Sequence, residues 1–119
     1  MKSSELKYRT RDYAIRIIRL YASLGNDAVA QVLGRQLLRS GTSVGAHHRE
    51  ATRARSVAEF VSKMEGGLQE LEETAYWLDL LVASNCVSVK QLGLLMDETD
   101  QLLAMFVASV KTSKQKRSY

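Results

Sequence analysis

The chain has 119 residues without a proline, 45% of them apolar and 25% charged, and a net charge of +4. That is one domain's worth of chain with apolar content for a single core, which excludes wholesale disorder and a core plus a separate catalytic domain. No apolar run approaches the roughly 20 residues that cross a bilayer, and the N-terminal segment lacks the apolar centre of a signal peptide, so a cytoplasmic protein with no membrane partner is expected.

Without proline and with few aromatics, nothing interrupts long helices and few segments favour strands, so the expected fold class is all-α. In a first helix, Leu6, Thr10, Tyr13, Ile17, Leu20 and Leu24 recur at alternating steps of four and three, with Ala14, Ile18 and Tyr21 widening the stripe. It stops at Gly25-Asn26-Asp27, where Asp27 caps the next helix. The second segment, from about residue 28 to 55, has Ala30, Leu33, Leu37, Gly41, Val44, His48 and Ala51 on one side, flanked by Gly34, Leu38 and Gly45. Opposite them Arg35, Arg39, Thr42, Ala46, Arg49 and Arg53 fall within roughly ±40° of one line on a helical wheel.

Gly41 and Gly45, one turn apart, remove side chains from the packing edge and let another helix approach closely, at about 1 kcal/mol of helix propensity each. Gly41, Val44, Gly45 and His48 are therefore expected at a helix-packing or oligomer interface. A glycine-rich phosphate loop would need a preceding strand and a different glycine spacing. Ser40, Thr42 and Ser43 can bond back to carbonyls of the preceding turn and need no catalytic role.

Ser56-Val57-Ala58-Glu59 reads as a capping box opening a third helix, in which Val57, Val61, Met64, Leu68, Leu71, Ala75, Leu78 and Val82 hold a heptad spacing. Asn85 to Val87 make a turn, and Ser88 to Gln91 form a second capping box. A fourth helix follows on Leu92, Leu95, Thr99, Leu102, Phe106 and Val110. Four helices on short turns imply an antiparallel up-down-up-down bundle over residues 1–112, with 113–119 as a basic frayed tail.

Candidate chemistry is sparse. His47 and His48 point about 100° apart and are the chain's two histidines, too few for a bundle di-iron set, so neither a metal nor a cofactor is expected. His48 belongs on the packing face, whereas His47, beside Ser43 and Glu50, reads as surface-polar. Cys86 is a lone thiol in a turn. Trp77 and Tyr76 point different ways, one of them into core or interface. No segment supplies a nucleophile with its base, a metal-ligand set or a cofactor fingerprint, so no catalytic residue is assigned and a non-enzyme is expected.

The charge is unevenly spread. Residues 1–55 carry 11 Lys/Arg against 4 Asp/Glu, residues 56–110 carry 2 against 9, and Lys111, Lys114, Lys116 and Arg117 follow. Such a separation suits a polyanion partner for the basic half, or copies that meet basic face to acidic face.

The strings QLLRSGTSVGAHHREATRARS at 36–56, LKYRT at 6–10, ETAYWLDLL at 73–81 and VKTSK at 110–114 resemble a bacterial family first noticed as reading frames within intervening sequences of large-subunit ribosomal RNA genes. The resemblance implies an antiparallel four-helix bundle that assembles as a homopentamer with a central channel. It also implies kinship with accessory variability proteins of diversity-generating retroelements, basic bundles that bind nucleic acid and a reverse transcriptase, and it brings no enzymatic activity. Where such proteins usually have Asn-Tyr after Gly-Ala, this chain has His47-His48, and its third helix carries Glu65-Gly66-Gly67 where apolar or helix-favouring residues are common.

Two readings follow. In one, a homo-oligomer binds RNA or DNA through Arg35, Arg39, Arg49 and Arg53, helped by Arg9, Arg16 and the basic tail. In the other, a structural adaptor oligomer binds a protein partner and spends its arginines on assembly.

Overall fold

The computed structural model describes residues 3–117. They form α1 (Ser3–Ser23), α2 (Ala28–Thr52), α3 (Val57–Ala83) and α4 (Val89–Arg117), with no strand among the described residues. Each helix reverses on its predecessor. α1 packs on α2, α2 on α3 and α3 on α4, while α1 meets α4 only locally and α1 does not pack on α3. The result is the four-helix bundle expected, in a rod of 52 × 21 × 20 Å.

The turns are fixed by local chemistry. Asp27 accepts from the Ala30 amide at 3.0 Å, and Ser56 Oγ accepts from the Glu59 amide at 3.0 Å, each satisfying a helix-end donor. At Ser56 the reciprocal half of the box is displaced: Glu59 Oε2 accepts from the Arg55 amide instead. At Ser88 both halves are present, Ser88 Oγ accepting from the Gln91 amide and Gln91 Oε1 from the Ser88 amide. α3 ends with Asn85 in the left-handed region (φ 62°), the Cys86 amide donating to Leu81 O and the Asn85 amide to Val82 O, the paired bonds of a Schellman motif.

The stripe expected on α4 is buried at all six positions, as are Leu6, Thr10, Tyr13 and Ile17 of α1. α3 differs. Its buried line runs Val61, Met64, Gly67, Leu71, Thr74, Leu78 and Leu81, whereas Leu68, Ala75 and Val82 are only half-buried and Val57 is exposed. The apolar heptad marks one edge of the buried surface, and the closest seam is lined by small residues, because α3 is wedged between α2 and α4. A Cβ on Gly67 would stand 2.6 Å from Phe106 Cε2, so a side chain there would force the helices apart. Polar groups on this seam are paired. Thr74 Oγ1 donates to Glu70 O (2.7 Å), which leaves Ser40 to donate to Thr74 Oγ1 across 2.8 Å. Thr99 Oγ1 likewise donates to Leu95 O, so Tyr13 donates to Thr99 (2.6 Å), joining α1 to α4.

At the far end α4 runs as helix to Arg117, so residues 113–117 of the expected basic tail are helical. Residues 118–119 of that tail lie outside the described residues.

Candidate nucleic-acid interface

α2 positions the arginines. With Ala30, Gly34, Leu37, Ser40, Gly41, Val44, Gly45, His48 and Ala51 buried, its opposite side is left to solvent. The close approach that orients it is made by glycine: a Cβ on Gly41 would lie 2.8 Å from Ile17 Cγ1, and one on Gly45 would lie 3.3 Å from Thr10 Oγ1. Gly41, Val44, Gly45 and His48 are buried within the single chain.

Arg35, Arg49 and Arg53 are exposed and make no hydrogen bond or ion pair among the described residues. Arg39 is different: its Nη2 donates to Glu73 Oε1 at 2.7 Å and its Nη1 to Glu70 Oε2 at 3.3 Å, binding α2 to α3 of the same chain. Arg9 is held more firmly still. It donates to both carboxylate oxygens of Glu98, to Gln101 Oε1 at 2.9 Å and to Met105 Sδ, and the Glu98 hydrogen bond raises its pKa against the opposing cost of burial. Arg16, the other α1 arginine expected to help, is half-buried with no ion pair among the described residues.

One group of unpaired positive charges gathers at the end of α2. Arg49, Arg53, Arg55 and Lys63 line a shallow groove over the α2–α3 turn, with Glu50 and Glu59. Lys63 is tied to Glu50 at 3.3 Å, and Glu59 faces the Arg55 amide, so three guanidinium groups remain open there. Arg55 and Lys63 were not singled out by the wheel, which treats one helix at a time. The closeness of Arg53 and Arg55 to the capping serine was the available signal.

The histidines part company. His48 is 2% exposed, its ring 6.4 Å from that of Phe106, and burial together with Arg49 holds its pKa below the ordinary 6.5. His47 is not a surface group. Its ring fills a notch on α3 where Gly66 and Gly67 lack side chains, a Cβ on Gly66 falling 2.8 Å from its Cε1 and Nδ1. The missing side chains let the ring in, and its Nδ1 is enclosed without a partner among the described residues. Trp77 packs on the core beside an exposed Tyr76, ring centroids 5.2 Å apart. Among the described residues no group of three or more His, Cys, Asp or Glu could hold a metal ion, and no helix is long and apolar enough to cross a membrane.

The profile of the family described as 23S rRNA-intervening sequence protein matches residues 2–108, nearly the whole bundle. The chain belongs to that family. One similar protein of known structure, a protein of unknown function from the S23 ribosomal protein family of Bacteroides thetaiotaomicron VPI-5482, is 35% identical. It superposes with a TM-score of 0.87 over 93% of this chain and 99% of its own. No curated protein matches at a significant level. The four-helix bundle is therefore also the fold of that S23 ribosomal protein family structure.

Proposed function

We propose that this intervening sequence protein is a non-enzymatic homo-oligomeric bundle, pentameric by analogy with the family, that binds RNA through the outer face of α2. The observation that carries the reading is the unengaged trio Arg35, Arg49 and Arg53, exposed on one face while Arg9 and Arg39 are satisfied by carboxylates of the same chain. Guanidinium groups bridge phosphate oxygens in a bidentate manner, and several such contacts give affinity without base readout. Arg55 extends the cluster beyond the end of α2.

Fluorescence anisotropy with a structured RNA at two salt concentrations tests it. The triple variant Arg35→Gln, Arg49→Gln, Arg53→Gln removes up to three phosphate contacts per chain. Its slope of log affinity against log salt should be shallower by about 0.7 to 0.9 per lost contact. An unchanged slope and affinity in the triple variant would remove α2 from the role. The alternative, an adaptor oligomer that binds a protein partner and uses its arginines for subunit assembly, predicts no salt-sensitive RNA binding by the intact protein.

A further inference from the structure

α1 carries a second stripe besides the one it buries. Tyr8, Arg11, Ile15, Ile18 and Ala22 recur at steps of three and four on the side away from the core, with Tyr8 65% and Ile18 48% exposed. Arg11 and Arg19, eight residues and about 12 Å apart along the helix, are exposed on this face and make no ion pair among the described residues. Glu5 lies round towards the α4 side, where it interacts with Arg9, and Asp12 sits between that side and Arg19.

α3 has the opposite character outward. Glu65, Glu72 and Asp79 repeat at seven-residue intervals beside Tyr76, which is 56% exposed. Glu72 and Asp79, about 10.5 Å apart along the axis, have no ion pair among the described residues, whereas Glu65 holds Lys114 at 3.5 Å. The one basic residue of α3, Lys63, is turned to Glu50 of α2.

We propose that the outward face of α1 docks on the outward face of α3 of a second copy of this chain, Arg11 and Arg19 meeting Glu72 and Asp79 while Tyr8, Ile15 and Ile18 cover Tyr76. The charges are complementary, their spacings along the two helices match to within about 2 Å, and the contact buries apolar groups that α1 otherwise leaves in water. A chain cannot make this contact with itself, because α1 and α3 do not pack together in the bundle. Two different faces joined in this way give a head-to-tail contact that closes into a ring or runs on as a chain. The docking rests on the homo-oligomer part of the proposed function, and it leaves Arg35, Arg49 and Arg53 of α2 outside the contact, so assembly and polyanion binding use different arginines.

The test is a charge exchange, with mass from light scattering and helicity from circular dichroism at one protein concentration. R11E/R19E alone and E72K/D79K alone should each dissociate, with subunit affinity weakened by at least about tenfold, since like charges are then set against each other. An equimolar mixture of the two should form mixed complexes in which the variants alternate, because each supplies the face complementary to the other's; the expected species have even subunit numbers, since two alternating variants cannot close a five-membered ring. If either variant alone keeps the wild-type mass, or if two folded monomeric variants fail to assemble on mixing, the α1–α3 contact is wrong while the homo-oligomer stands. A monomeric wild type would overturn both. Should a reversal impair folding, R11Q/R19Q replaces it, and retention of wild-type subunit affinity by that variant counts against the contact. RNA affinity measured on the same samples reports separately on α2.

Discussion

Replacing Gly41 by alanine sets two effects of similar size against each other. Alanine is favoured over glycine in a helix interior by about 1 kcal/mol. The new Cβ, however, would lie 2.8 Å from Ile17 Cγ1, 2.9 Å from Cγ2 and 3.2 Å from Cβ. Ile17 is β-branched, fully buried and stiff at χ1, so it cannot swing aside and α1 itself must shift, at about 1 to 3 kcal/mol. The net expectation is a loss of about 0 to 2 kcal/mol. Gly93 provides the control, for a Cβ there meets nothing within 4 Å and alanine should stabilise by about 0.5 to 1 kcal/mol. The two variants should therefore differ by about 0.5 to 3 kcal/mol in urea unfolding followed by circular dichroism, at one protein concentration because assembly adds to apparent stability. Equal stabilisation by the two alanines would refute the close approach of α1 to α2 at Gly41.

The bond from Tyr13 to Thr99 predicts an asymmetry. Tyr13→Phe leaves Thr99 bonded to Leu95 O and should cost about 0.5 to 1.5 kcal/mol, whereas Thr99→Val strands the buried phenol hydroxyl and should cost about 1 to 3 kcal/mol; the reverse order in chemical unfolding would show the hydroxyl to have another partner. His48 predicts a pH dependence. Because burial depresses its pKa in the folded state, the unfolded chain binds the proton first, so the stability held above about pH 6.5 is lost as the pH falls through that value. His48→Asn should flatten the decline in urea midpoint between pH 7 and pH 5, and an identical slope in the variant would clear His48.

How much of this was legible depended on which residues held the information. Turns announced by local side chains, Asp27, Ser56 and Ser88 with Gln91, sit where the sequence places them, because a cap involves residues three apart. The α4 stripe was legible because every member is apolar or Thr99. The α3 seam was not, since Gly67 and Thr74 are chosen for smallness against Phe106 and Ser40, and hydropathy cannot register smallness. The arginine stripe of α2 was visible on a wheel, but the engagement of Arg39 with Glu70 and Glu73, and of Arg9 with Glu98, joins residues 31 to 34 and 89 positions apart. No periodicity carries such pairings. His47 was misplaced for the same reason, its environment being made by two absent side chains on another helix.

That notch also constrains the order in which its two sides could change. With His47 seated at 2.8 Å from the place of a Gly66 Cβ, any larger residue at 66 evicts the ring, while a small or differently directed residue at 47 leaves 66 unrestricted. An ancestor with a side chain at 66 could lose it first and gain the histidine second, whereas the opposite sequence of substitutions passes through a clash. Positions 47 and 66 are thus coupled through one contact: with the histidine in place, a side chain at 66 requires the ring to swing out of the notch or position 47 to change first.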